Sequence, residues 1–301
     1  MQQTTTPRFI VSLVFTLWAL TGWSQSPYRL AWKKEAILLG ASAVTIGTSY
    51  GLGLSLLPLQ EDEIINLNRL NIKPFDRSAT YNWSPSAKLA SDLTLLGSLG
   101  SVGLVWLPTI KRDDWTVVPL MFIETLALNN GIQRSIKNGV RRNRPFLYNP
   151  DVPLAEKEIK DARRSFFSGH TANAFASAVF ASEVFRHYFP DSRLKPVVWT
   201  GTLTLATATA YLRYAAGRHY PTDLLAGAAF GSLIGWGIPK LHQVKNRSEV
   251  FRRLTVEPWT NGTASGLYVS INLNSVNFTG RQPIRLPEPG YQKTIAIPNQ
   301  K

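Results

Sequence analysis

The sequence predicts an all-α protein: a bundle of about six helices, membrane-embedded, followed by a short C-terminal tail with the pattern of a β-hairpin. Three observations predict it. Uncharged runs recur along the chain at the spacing of membrane helices. They are rich in Gly, Ala, Ser and Thr, the residues that let helices approach closely. After residue 253 the pattern changes to the alternation of strands.

The elements follow in order. Arg8 precedes an uncharged run from Phe9 to Ser26, with Gly22 and Ser24 placed as a signal-peptidase site requires, so residues 1–24 read as an export leader. Residues 25–85 hold one helix, in the run Ala36 to Gln60, and a polar connecting segment. Gly40, Gly47, Gly51 and Gly53 make this run the expected exception, lying along the interface or packed on the bundle rather than spanning. Residues 86–247 form the helical core, with runs from Leu93 to Ile110, Trp115 to Gln133 (interrupted by Glu124), Phe166 to Ser182, Pro196 to Leu212 and Leu224 to Pro239. Most of these fall short of the roughly 20 apolar residues of an ordinary span, which keeps a soluble, exported helical domain as the alternative. In the tail, 248–301, Leu254 to Trp259 and Leu267 to Leu273 flank turn residues Asn261 to Gly266.

Composition narrows the chemistry. There are no cysteines among 301 residues, which excludes disulfides and thiolate-ligated metals. Lys and Arg total 33 against 19 Asp and Glu, a formal charge of +14 that calls for an anionic partner. No zinc-finger spacing and no basic helix with heptads is present, so nucleic acid is not the expected partner. A membrane and a phosphorylated substrate are.

Three short patterns occur in order: Lys137-x6-Arg144-Pro145, Ser168-Gly169-His170 and Arg213-x5-His219-x3-Asp223. Average residue usage would produce all three in order in about one chain in 10⁵. Lys137 and Arg144 are two helical turns apart, and a helix that continued past Gly139 would put both cations on one face. Arg offers phosphate a planar fork and Lys a point charge. Ser168 and Gly169 precede an apolar run, where a helix N-terminus favours anions. With Arg213 these groups make a cage for an oxyanion. His219 and Asp223 are four apart and share a face if His219 opens a helix, for which Pro221 is a suitable first-turn residue. A carboxylate on one imidazole nitrogen leaves the other as an attacking lone pair, while His170 is free to protonate a leaving oxygen. Such a pair of histidines needs no metal or other cofactor. A metal on His170, His219 and Asp223 is the weaker reading, because the surrounding cations would repel it. Arg141, Arg142, Arg163 and Arg164 read as solvated charges, and His187 and His242 as satisfied side chains.

The trio resembles the three-part signature of the type 2 phosphatidic acid phosphatase and vanadium haloperoxidase superfamily, over roughly Lys137 to Asp223. The resemblance implies an α-bundle in which Lys137, Arg144, Ser168, Gly169 and Arg213 bind phosphate, His219 is the nucleophile, His170 the general acid and Asp223 the group that orients His219. Phe167 stands where that pattern usually has Pro, and Leu212 where it has Ser. The expected function is a phosphatase acting on a phosphate monoester or pyrophosphate of a lipid through a phosphohistidine, in a bacterial-type inner membrane with a periplasm-facing site. The alternatives are a soluble exported acid phosphatase, a haloperoxidase holding vanadate in the same cage, and a non-catalytic binder of phosphorylated lipid.

Overall fold

The computed structural model describes residues 26–112, 115–244, 254–260 and 265–271. The expected leader, 1–24, lies outside them. Six long helices form the first unit: α1 (Trp32–Leu54), α2 (Pro85–Trp106), α3 (Val117–Val140), α4 (Gly169–Tyr188), α5 (Lys195–Ala215) and α6 (Pro221–His242). In a second unit, β1 (Leu254–Thr260) and β2 (Ser265–Ile271) pair antiparallel with Val256 opposite Val269. The expected strand from Leu267 to Leu273 is described as far as Ile271.

Local chemistry sets the helix ends. Ser84 caps α2 by accepting from Ala87 N at 3.1 Å, with Pro85 in the first turn. Ser168 caps α4, its Oγ accepting from Thr171 Oγ1 at 2.9 Å and from Thr171 N at 3.4 Å. Pro221 opens α6. α3 stops at Arg141, which adopts a left-handed φ of 52°. The helix therefore does not continue from Lys137 to Arg144. Arg144 enters the site from extended backbone instead, ahead of a 3₁₀ turn at Pro145–Tyr148.

Three of the helices turn long apolar side chains outward. Ile37, Val44, Tyr50 and Leu54 on α1, Leu89, Leu93, Leu96 and Leu104 on α2, and Leu225, Leu233 and Trp236 on α6 face outward. Ser42, Ser49, Ser91, Ser98 and Ser101 face inward. Four of these hydroxyls, those of Ser42, Ser91, Ser98 and Ser101, return to their own helices, as Ser42 Oγ does to Leu38 O at 2.8 Å and Ser98 Oγ to Thr94 O at 3.0 Å. Apolar side chains outside and small polar ones inside are what a bundle solvated by lipid requires. α1, α2 and α6 are long and apolar enough to cross a membrane. The Gly-rich run expected to lie along the interface or pack on the bundle forms a helix, α1, packed along α3 and long and apolar enough to cross a membrane.

α4 is the axis, with buried residues on every face. α6 lies against it through Gly227, Gly231 and Gly235. A Cβ at Gly231 would come within 2.1 Å of Ala172 O, and one at Gly235 within 2.3 Å of Ala176 O. This close approach ties the start of α6 to the start of α4. Phe167 strengthens it, its ring 5.1 Å from that of Phe230. One apolar cluster, including Met121, Phe180, Val184 and Ile238, fills the bundle on the side away from these helix starts. A second, around Phe146, Leu147, Val152 and Ala162, supports the 141–168 loop.

Candidate active site

The last turns of α3 and α5 and the first turns of α4 and α6 lie at one end of the bundle. That places all eight residues singled out in the three patterns together. Lys137, Arg144, Ser168, Arg213, His219 and Asp223 are each less than a tenth exposed. His170 opens beside Arg213 into a cavity of about 440 Å³ that Asp92, Asp161 and Arg218 also line. Gly169 packs so closely on Gln133 that a Cβ would meet its side chain at 2.8 Å.

His219 sits in the turn between α5 and α6. Gly217 makes that turn, with a φ of +68° and Asn82 O only 2.0 Å from where a Cβ would be. Arg144 latches the turn by donating from NH1 to Arg218 O at 3.1 Å. The same NH1 lies 3.4 Å from His219 Nε2. Because guanidinium can only donate, Nε2 is assigned as the lone pair and Nδ1 as the N–H. Burial, then Arg144, Lys137 and Arg213, hold the His219 imidazole well below the usual imidazole range. It is neutral at neutral pH, with its lone pair among buried cations.

Asp223 does not hold His219 as the spacing suggested. Its Oδ2 is 3.6 Å from Nδ1, beyond a hydrogen bond, and Nδ1 has no partner. Oδ2 accepts instead from Tyr220 N at 3.0 Å and from Ser165 Oγ, and Oδ1 from Arg142. The i, i+4 relation is present, but the first turn of α6 uses its carboxylate to cap its own entry. Asp223 thereby fixes the loop that carries His219.

Arg142 corrects the reading of it as a solvated charge. Its NH2 donates to Asp76 Oδ2 at 2.8 Å, its NH1 to Thr222 Oγ1 at 2.9 Å and to Asp223, and it lies 4.0 Å over the Tyr220 ring. Burial opposes the Arg142 charge, but Asp223 and Asp76 outweigh it and raise its pKa. Arg163 is paired with Glu63, and Arg141 donates to Ser55 Oγ at 2.6 Å. His187 is satisfied, with Tyr28 Oη 2.7 Å from Nδ1. His242 is not: its Nε2 is buried and has no partner.

Sequence reasoning also missed the carboxylates that balance the cage. Asp92 on α2 is 2.8 Å from His170 Nε2 and 3.8 Å from Arg213 NH1. Asp161 pairs with Arg144 at 2.7 Å, and Glu156 with Arg218 at 3.0 Å. Burial would raise the Asp161 pKa, but Arg144 and Lys137 overcome it and hold the group below the usual carboxylate range. These three acids are each more than two-fifths exposed. They neutralise the cations from the open side, where an incoming anion can exchange with them. No motif surrounds them in the sequence. Only Arg142, two residues before Arg144, had a local signal.

Residues 119–247 match the family model of the PAP2 superfamily. A lipid A 4'-phosphatase of Bacteroides thetaiotaomicron is 31% identical over 151 residues, 44% of this chain and 62% of that protein. A probable diacylglycerol pyrophosphate phosphatase of Schizosaccharomyces pombe is 31% identical over 126 residues, 36% of this chain and 44% of that protein. The chain thus spans under two thirds of the length of the curated relatives it matches. Among solved structures, a transmembrane PAP2-type phosphatidylglycerolphosphate phosphatase from Bacillus subtilis aligns with a TM-score of 0.42 at 17% identity, covering 79% of this chain and 96% of that one.

Proposed function

Residues 119–247 belong to the PAP2 superfamily, and from that premise we propose that this chain is a membrane phosphatase that removes phosphate from a phosphorylated lipid by transferring it to His219. The observation that carries the reading is a buried histidine whose Nε2, assigned as the lone pair, lies 3.4 Å from Arg144 NH1 among buried cations. Nε2 attacks phosphorus, and the bond to the leaving oxygen breaks. Lys137, Arg144, Arg213 and the N-terminus of α4, with Ser168 and Gly169, bind the phosphoryl oxygens on which charge develops. His170 takes a proton from the arriving phosphate monoester, exchanges Asp92 for the leaving oxygen and gives it that proton. It then takes a proton from the water that hydrolyses the phosphohistidine. No step requires a metal.

Two features favour a lipid over a soluble ester. The outer faces of α1, α2 and α6 are apolar, which counts against a soluble exported enzyme. A groove of about 630 Å³ between α1 and α3, lined by Ile46, Tyr50, Leu54 and Leu126, also reaches Arg134 and Arg164. It offers room for acyl chains. The activities for which the two relatives are named, on lipid A and on diacylglycerol pyrophosphate, define the substrate classes to test.

The orientation we propose is a site on the periplasmic face of a bacterial-type inner membrane. With six crossing helices, residue 26 and the site lie on opposite faces. The end away from the site carries Arg29, Lys33, Lys34, Arg193, Lys195 and Lys240, cations that phosphate binding does not explain and that mark a cytoplasmic face. A leader cleaved after Ser24 would impose the reverse. A fluorescent-protein fusion after Val244 glows in the first arrangement and stays dark in the second.

The activity test is phosphate release by the purified full-length protein from lipid A, phosphatidate, diacylglycerol pyrophosphate and p-nitrophenyl phosphate, with quenched ³²P labelling. The expected result is release from a lipid substrate and an acid-labile phosphoenzyme, absent in His219→Ala. A label that survives His219→Ala but is lost in His170→Ala would reverse the two roles.

A further inference from the structure

At the opposite end of the bundle, Glu35 of α1, Glu124 of α3 and His242 of α6 meet in the interior, and we propose that they bind a divalent transition-metal cation of the zinc class. His242 is 1% exposed, and its Nδ1 lies 2.9 Å from Ile238 O. A carbonyl can only accept, so Nδ1 carries a proton. Nε2 then points at two carboxylates, 3.5 Å from Glu35 Oε1 and 3.3 Å from Glu124 Oε2. Glu124 is fully buried, and neither of its oxygens has a hydrogen-bond partner. Glu35 gives Oε1 to Ala31 N at 2.7 Å, while its Oε2 is buried and unpartnered. Among the described residues, no Lys or Arg lies within 4.0 Å of either carboxylate; the nearby Lys34 ammonium donates to Leu241 O at 3.0 Å.

Two carboxylates and an imidazole cannot share a dry interior without a proton or a cation among them. A proton, on Nε2 or on a carboxyl, is one candidate, but the hydrogen bond it makes between nitrogen and oxygen closes to about 2.7–2.9 Å. Both observed separations are longer. A tetrahedral ion about 2.0–2.1 Å from nitrogen and 2.0–2.2 Å from oxygen sets its ligand atoms about 3.3–3.5 Å apart. The observed 3.3 and 3.5 Å are that edge. All three donor atoms fall within 4.8 Å of one another. A ligating histidine typically gives its other N–H to a carbonyl, as His242 does to Ile238. Two carboxylates and one neutral imidazole make a neutral complex with a dication, leaving a fourth position for water or Glu35 Oε2.

The site is structural. His242 is nineteen residues beyond Asp223 on α6, about 28 Å along the helix at 1.5 Å per residue. The ion takes no part in phosphate transfer. It pins α1, of whose apolar stretch only 11% is buried, to α3 and α6.

The test uses the full-length protein in detergent, carrying no polyhistidine tag. Elemental analysis should find about one zinc or similar ion per chain, falling at least tenfold in Glu124→Gln and His242→Ala. Because either variant could misfold, the wild type is also stripped with EDTA and titrated. Cobalt should then give the visible absorption of a tetrahedral ion, and zinc should raise Tm. Below Tm, phosphate release should be the same in the stripped and loaded protein. A stripped wild type that binds neither ion and keeps its Tm when zinc is added would overturn the proposal and leave a shared proton holding the cluster.

Discussion

Gly231→Ala is the smallest change that tests whether the seam between α4 and α6 builds the site. The new Cβ would sit 2.1 Å from Ala172 O, against an ordinary contact of 3.4 Å, a deficit of 1.3 Å. The obstacle is helix backbone, which cannot rotate away as a side chain would, so α6 must move off α4 by about an ångström. Overpacking of this kind costs about 1–3 kcal/mol. The consequence for catalysis should be larger, because α6 and its entry turn carry Asp223 and His219, while the start of α4 carries Ser168 and His170. A misplacement of about 1 Å can lower a rate about 10²-fold. Gly237→Ala is the matched control, on the same helix with nothing within 4 Å of the added carbon. There Ala should stabilise α6 by about 0.5–1 kcal/mol through helix propensity. The assay is Tm in detergent together with kcat for p-nitrophenyl phosphate. Gly231→Ala should lose both, and Gly237→Ala neither. Wild-type Tm and kcat in Gly231→Ala would refute the argument that this contact sets the site.

Arg142→Ala strands the fully buried Asp223 and the nearly buried Asp76 without their shared partner, a change that costs about 3–5 kcal/mol for a buried pair; Tm should fall sharply and be partly restored in Arg142→Lys, whereas an unchanged Tm would mean Ser165 and Tyr220 hold Asp223 alone. The lowered pKa of His219 keeps the nucleophile neutral through neutral pH, so the loss of activity that its protonation causes comes as pH falls through a value below the usual imidazole pKa of about 6.5. Bound phosphate should draw that limb upward, so the limb of kcat, corrected for substrate ionisation, should lie above that of kcat/KM; limbs in the reverse order would contradict it. His170→Ala should slow transfer of phosphate to His219 about 10²–10⁴-fold from a lipid substrate but spare that step with p-nitrophenyl phosphate, whose leaving group needs no proton, as read by the rate of phosphoenzyme formation; equal losses of that rate on both would remove the general-acid role.

The six helices were legible because each, apart from α3 with its Glu124, keeps charge out of a long run, and a helix satisfies its backbone internally whatever surrounds it. The eight site residues were legible because their three patterns fall at helix ends, where Ser168 caps and Pro221 starts a helix by local chemistry alone. Other groups were not legible, because nothing near them in the chain announces them. Asp92 reaches His170 from α2, and Asp76 reaches Arg142 from a connecting segment. His219 and Asp223 show the limit most clearly. Spacing put them on one face, but Tyr220 N, Ser165 and Arg142 compete for the carboxylate and win it. Glu35, Glu124 and His242 lie on three helices and look unremarkable singly, and only packing turns them into a cluster facing inward. By itself the sequence determined what is local: helix ends, apolar runs and the order of the phosphate-binding patterns. The tertiary structure decided which charge meets which, because electrostatic partners are chosen by distance through the bundle and not along the chain.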